Sequence, residues 1–322
     1  MADPEGSRRL SVPGAVRAAL ARPRAWSAIW VVQALLAGLP ALAWFGWLRS
    51  TVDHRYAPDE LFADLGTVFR FDHRAGLGQM DSITGHAGAV LALVFMLLGV
   101  FTAGGWLTTF LAPRPQRTLS EFLGGGARFF GRFLRVWLLT ILLLSLATWI
   151  VRGAPWERIV LGGLLGVPES DYERLETLRS EQTVFLARGA QAVLHALAVG
   201  LVLVWGDYTR TRLALFDTRS ALWAGTESAF FVLRHPVRAL LPMAGLLALE
   251  VAVLAALGIG SNAIDEGIGS LADVALLLVL GQIALWARIV LRGARYHAAV
   301  AVSHASVRPI AKPDPWGHGR LA

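Results

Sequence analysis

Six windows of this chain, at residues 26–48, 88–111, 133–151, 184–205, 239–257 and 274–291, are almost wholly apolar. Each runs for roughly 20 residues, the length at which an α-helix crosses about 30 Å of hydrocarbon. The pattern constrains the fold more than any other feature, and composition agrees with it. Only 16% of the residues are charged, against about a quarter in a soluble domain of ordinary composition. The expected class is therefore all-α: a polytopic membrane bundle of six transmembrane helices, with cytoplasmic interfacial amphipathic helices at one face. Residues 1–25 form an N-terminal cytoplasmic segment, 26–291 the membrane domain, and 292–322 a cytoplasmic tail that is largely irregular.

Charge sorts the connections into two groups. Residues 1–25, 112–132, 206–238 and 292–322 hold 19 Lys/Arg against 7 Asp/Glu, whereas 49–87, 152–183 and 258–273 hold 8 against 15. Lys and Arg counts set orientation, so the first group is expected in the cytoplasm, together with both termini. A competing reading takes Arg22, Arg24, the first apolar run and Ala41-Leu42-Ala43 as a secretory signal, but that run continues through "WFGWL" and exceeds a signal core. The basic residues are 29 Arg and the single Lys312, the bias of a GC-rich bacterial genome. The expected location is a bacterial inner membrane. With no cysteine in the chain, disulfides and thiol chemistry are excluded.

Spans one, three and five each follow a candidate amphipathic helix. "SVPGAVRAALARPRAW" (11–26) opens with Ser11 as N-cap and Pro13 in the first turn, as helix starts prefer. "TLSEFLGGGARFFGRFLR" (118–135) has Thr118 and Glu121 at capping-box spacing, with Arg128, Arg132 and Arg135 sharing one face. "SALWAGTESAFFVLRHPVR" (220–238) carries a break at Pro236. Three units of in-plane helix plus transmembrane hairpin describe the chain economically. The three arginines are candidate contacts to anionic headgroups, and covering the cytoplasmic ends of the bundle is the plainer use of such helices. Membrane lipids are thus the expected partners. The membrane sorting of the arginines argues against nucleic acid.

The segments "FLGGGARFFGRFLR" (122–135) and "GDYTRTRLALFDTRSALWAGTESAFFVLRHP" (206–236) resemble a loose group of bacterial six-span proteins of unassigned activity. That group is similar to the membrane domain fused to some glycerophosphodiester phosphodiesterases. The resemblance implies a helical membrane bundle and supplies no catalytic residues.

Polar residues inside the apolar windows carry the functional expectations. Glu250, His195 and Gln282 fall near the centres of their windows and are expected at similar depth. Arg188, Gln191 and His195 share one helical stripe by their i, i+3, i+7 spacing. An ionisable group at mid-membrane is a functional candidate by default, so Glu250 and His195 form either a proton or solute path or a contact holding helices together. Ala192, Ala196 and Gly200 have the spacing that lets helices approach closely, and Arg288 is expected to snorkel.

The outer connection 49–87 contains His54, His73 and His86, but no pair has the i, i+3 or i+4 spacing of a helical metal site. Within it "DELFADLGTVFRF" has amphipathic helical spacing, and "GGGARFFGR" is better suited to close helix packing or a hinge than to phosphate. No nucleotide motif and no strand–helix alternation is present. No catalytic residue, metal or cofactor is assigned. The expected function is non-enzymatic: permease-like, or assisting an envelope or lipid process. A membrane scaffold or accessory subunit is one alternative. A lipid-modifying enzyme using the His/Asp loop is the other.

Overall fold

The computed structural model describes residues 11–52, 67–112, 118–166, 181–265 and 270–306. Among these every regular element is a helix: α1 (Val12–Leu20), α2 (Pro23–Val52), α3 (Thr67–Asp72), α4 (Arg74–Leu111), α5 (Thr118–Arg152), α6 (Ala154–Trp156), a π-helical stretch (Glu157–Leu164), α7 (Glu181–Leu215), α8 (Ala221–Arg234), α9 (Pro236–Asp265) and α10 (Leu271–Ser306). Six of them, α2, α4, α5, α7, α9 and α10, are long and apolar enough to cross a membrane. The chain is a multi-pass membrane protein of the expected all-α class. The helices alternate in direction, so the start of α2, the end of α4 and the end of α10 lie at one end of the bundle. That end is called basic below; the opposite one is the far end.

Local chemistry explains where the shorter helices begin and stop. Ser11 accepts a hydrogen bond from the Gly14 amide and Pro13 occupies the first turn of α1, while Ser220 caps α8 by accepting from the Trp223 amide. Pro236 has no amide hydrogen to continue α8 and instead opens α9. The expected separate helix before span three does not exist. Thr118–Arg152 is one unbroken helix of 35 residues, in which Gly125 and Gly126 pack against α4 instead of breaking the ladder.

Packing is concentrated at the basic end. Both buried clusters draw on that half of the bundle, from Ala25 and Ile29 of α2, Val100–Leu107 of α4 and Phe122–Val136 of α5 to Tyr208 and Leu213 of α7, Ala239–Leu246 of α9 and Ile289–Val302 of α10. Small residues permit this. A Cβ at Gly104 would stand 2.7 Å from the Gly125 carbonyl oxygen, and one at Gly126 2.6 Å from the Phe101 ring, so α4 and α5 cross in near backbone contact. The "GGGARFFGR" motif is thus a packing device. In the far halves, Leu39, Leu42, Phe185, Leu197, Val251 and Leu278 are exposed, as side chains facing lipid would be. The expected small-residue seam at Ala192, Ala196 and Gly200 is not a helix contact: both alanines are exposed and nothing approaches Gly200.

Two further boundaries are corrected. Residues 292–306 are not irregular tail; they continue α10, and Tyr296, Ala299 and Val302 are buried core. The described part of the connection after span one is helical too, since α3 covers Thr67–Asp72 and α4 starts at Arg74. Of the amphipathic segment expected within it, only 67–71 is described, and it is helical.

Candidate functional site

Charged side chains are buried where α7, α9 and α10 meet. Asp207 of α7, 5% exposed, pairs with Arg210 one turn on at 3.2 Å, and its other oxygen lies 3.4 Å from Nε of Arg295. Arg295 also donates from Nη1 to Glu250 of α9 at 2.7 Å. The 3.4 Å approach is a charge contact, because Nε finds no aligned acceptor. One guanidinium thereby ties two carboxylates on two other helices. Burying such a group is tolerable only when it is paired and hydrogen bonded. Around this layer Tyr208 donates its hydroxyl to the Ala239 carbonyl at 2.9 Å, and Trp205 donates to the Gly225 carbonyl at 2.8 Å.

A third arginine, Arg292 of α10, is within electrostatic reach of Asp207 and Glu250 and donates to the Gly99 carbonyl of α4 at 3.1 Å. It borders a cavity of about 520 Å³ between α2, α4, α5 and α10. Arg288, one turn away and exposed, lines the same cavity. Gln33, Thr102, Trp106 and Trp137 complete the polar and aromatic wall. Two carboxylates and three guanidiniums meet in this region, and the surplus positive charge borders the cavity together with Arg288.

The residues singled out from the sequence separate into two groups. Glu250 belongs to the ion-pair layer. His195 does not reach it: its Nε2 meets the Thr148 hydroxyl of α5 at 3.2 Å, while Gln191 donates to the Val151 carbonyl at 3.0 Å. The 12 residues between His195 and Asp207 amount to about 18 Å of helix. Gln282, whose Oε1 is buried without a partner, lies 13 residues, about 20 Å of helix, from Arg295. The expected common depth fails because α9 begins level with the end of α10, where Pro242, Val302 and Ser306 border one groove. The first turns of α9 are therefore protein core. Arg188 shows no partner among the described residues. The stripe Arg188, Gln191 and His195 is real, but Gln191 and His195 bind α5.

Of the three candidate headgroup arginines, Arg132 hydrogen-bonds Asp217 and the Thr218 carbonyl, Arg128 pairs with Asp217 at 3.4 Å, and Arg135 is exposed. The bond from Arg132, with added attraction from both guanidiniums, holds the Asp217 carboxyl below its ordinary range. Asp217 itself has φ +50°, a left-handed turn conformation that aspartate tolerates better than most residues.

In the His/Asp loop, His73 precedes α4 and packs against Phe69 and Trp47, and His86 Nδ1 contacts the Ser82 carbonyl at 2.6 Å. Thirteen residues, about 20 Å of helix, separate those histidines, too far to share one ion. His54 lies outside the described residues. No group of His, Asp and Glu able to hold a metal exists among the described residues. Asp207, Arg292 and Arg295 went unnoticed in the sequence because they fall in or just past windows read as connections. The one available signal was the charge run itself, "GDYTR" facing "RGAR".

No family model, no curated protein and no solved structure matches this chain.

Proposed function

We propose that this chain is a non-enzymatic protein of a bacterial inner membrane, with its basic end and both termini in the cytoplasm, acting as a permease-like element in transport or envelope lipid handling. The observation that carries the reading is the asymmetry of the bundle. Asp207, Arg295 and Glu250 close the basic end across three helices, while a cavity bordered by Arg288 and Arg292 lies outward of that layer. A bundle closed at one end with a charged cavity above the closure is the arrangement expected of a carrier in one access state. The sorting of arginines gives the sidedness. Arg135 would meet anionic headgroups.

The test is movement of labelled phosphatidylglycerol between leaflets of proteoliposomes. Glu250→Gln keeps a hydrogen-bond acceptor for Arg295 but removes one charge from the closing layer, so a carrier gated there changes rate. Wild-type and variant protein, both folded and both no faster than empty vesicles, would remove the permease reading.

A scaffold or accessory subunit is the second reading. The observation in its favour is α8, which buries Phe231 and Val232 but exposes Leu222, Trp223, Phe230 and Leu233. Under it, leaflet exchange is absent and the chain co-purifies with a partner in fixed stoichiometry.

A further inference from the structure

The cavity between α2, α4, α5 and α10 is graded along the helix axes. Toward the basic end it meets Arg292 and Thr102; one turn outward come Arg288 and Gln33; beyond them lie Phe95, Met96 and Leu285. Cationic and hydrogen-bonding groups are thus confined to the half toward the basic end, where they stand among Ile29, Trp106 and Ile289, and the outward half holds Phe95, Met96 and Leu285. Arg292 is pre-positioned by its bond to the Gly99 carbonyl. Gly99 makes the approach possible, since a Cβ there would stand 2.9 Å from Arg292 Nη1. Arg288 has no partner among the described residues, so its donors are free for a ligand.

The volume of about 520 Å³ is that of a small-molecule site. Guanidinium forks match the oxygens of a phosphate group in geometry and charge. The site also stands about 10 Å of helix outward of Arg295, counted over the 7 residues from Arg288. A headgroup there has its chains directed along Phe95, Met96 and Leu285, away from the basic end.

We propose that this cavity binds one anionic phospholipid, its phosphate between Arg288 and Arg292 and its acyl chains along the apolar half. The site does not depend on transport, since a scaffold would hold the same lipid as a structural ligand. A phosphodiester and free phosphate share the same recognition chemistry. The apolar end separates them, because it adds nothing to the binding of a bare ion.

The experiment uses the full chain in mild detergent, titrated with dioctanoyl phosphatidylglycerol, dioctanoyl phosphatidylcholine or inorganic phosphate, and read by native mass spectrometry with the thermal midpoint as a second measure. The expected result is saturable one-to-one binding of phosphatidylglycerol, with phosphatidylcholine and phosphate weaker by about tenfold or more. Arg288→Gln weakens phosphatidylglycerol binding by about tenfold, because it removes one charged fork. Leu285→Trp, which fills the apolar half, weakens it while leaving the charges in place. Arg17→Gln, on the exposed face of α1, changes nothing. Arg288 and Leu285 lie outside the ion-pair layer, so these variants leave the Arg295 clamp in place. Phosphatidylcholine binding as tightly as phosphatidylglycerol, or folded Arg288→Gln binding like wild type, overturns the headgroup assignment. Phosphate binding as tightly as the lipid, or folded Leu285→Trp binding like wild type, overturns the acyl assignment.

Discussion

Replacing Arg295 with Met removes the cation that ties Glu250 to Asp207, leaving Glu250 buried without its partner while Asp207 keeps Arg210. The Arg295–Glu250 contact at 2.7 Å represents about 6 kcal/mol of gross attraction, and the 3.4 Å contact with Asp207 about 5, at an effective dielectric of ~20. Most of that is offset by the desolvation of all three groups, whose side chains are only 7–13% exposed. Removing one member of such a buried set costs about 3–5 kcal/mol, because Glu250 loses its partner without regaining water and Asp207 loses one of its two. Glu250→Gln keeps an acceptor for Arg295 and is expected to cost about 1–2 kcal/mol. The informative measurement is the double variant. Once Arg295 is gone, neutralising Glu250 relieves repulsion against Asp207, so the double cost falls short of the sum by about 1–3 kcal/mol. Unfolding in mixed micelles of increasing dodecyl sulfate, followed by tryptophan fluorescence, gives all three values. An Arg295→Met cost within about 0.5 kcal/mol of zero, or strict additivity in the cycle, would refute the clamp.

Three smaller tests address the remaining joints. Gly104→Ala drives a Cβ onto the Gly125 carbonyl and should cost about 1–3 kcal/mol, whereas Gly124→Ala, with nothing within 4 Å, should stabilise α5 by roughly 0.5–1 kcal/mol in the same unfolding assay. His195→Leu should cost about 0.6–1.7 kcal/mol through loss of the Thr148 contact, and the same cost in a Thr148→Val background would show that the two do not interact. Asp217 has a folded pKa below its unfolded value, so its stabilising pairing is present above about pH 4 and fades as pH falls through the depressed folded value. Measured against the intrinsic exchange rate at each pH, amide protection at the α7–α8 turn should fall in acid for wild type, and Asp217→Asn should lose that acid-dependent step.

The sequence was readable where its physics is local. Ser11 and Ser220 cap as their spacing implies, Pro236 ends α8, and six apolar windows produce six long helices. It misled where hydropathy cannot tell lipid from protein. Ala239, Met243 and Leu246 raise the apolar score of the fifth window like lipid-facing residues, yet all are fully buried in the core. Counting the window's centre from them placed Glu250 about as deep as His195. The opposite error hid the site. Residues 292–306 carry two arginines and two histidines, so they look like a polar tail, although the small residues Gly293, Ala294, Ala298 and Ala299 seat them in the core. A charge in a core is invisible to composition until its partner on another helix is known. Small-residue spacing has the same weakness: Ala192, Ala196 and Gly200 have it and touch nothing closely, while Gly104 and Gly125 carry the tightest crossing.

The distribution of these contacts also bears on which parts of the bundle can move. Lipid gives helices no hydrophobic reason to associate, so association depends on close packing and polar links. At the basic end both are abundant, in the glycine crossing of α4 with α5 and the Arg295 clamp of α7, α9 and α10. Toward the far end, α5 and α7 are joined through His195–Thr148 and Gln191–Val151, bonds of a kind worth little each in a membrane, and the apolar faces around them are exposed. Rearrangement of the far halves therefore costs less than opening the basic end, whose clamp must break as a unit. A ligand entering from the lipid would follow that gradient, reaching Arg288 with the ion-pair layer intact. Passing further would require Arg295 to release Glu250, which is why Glu250→Gln should act on exchange between leaflets.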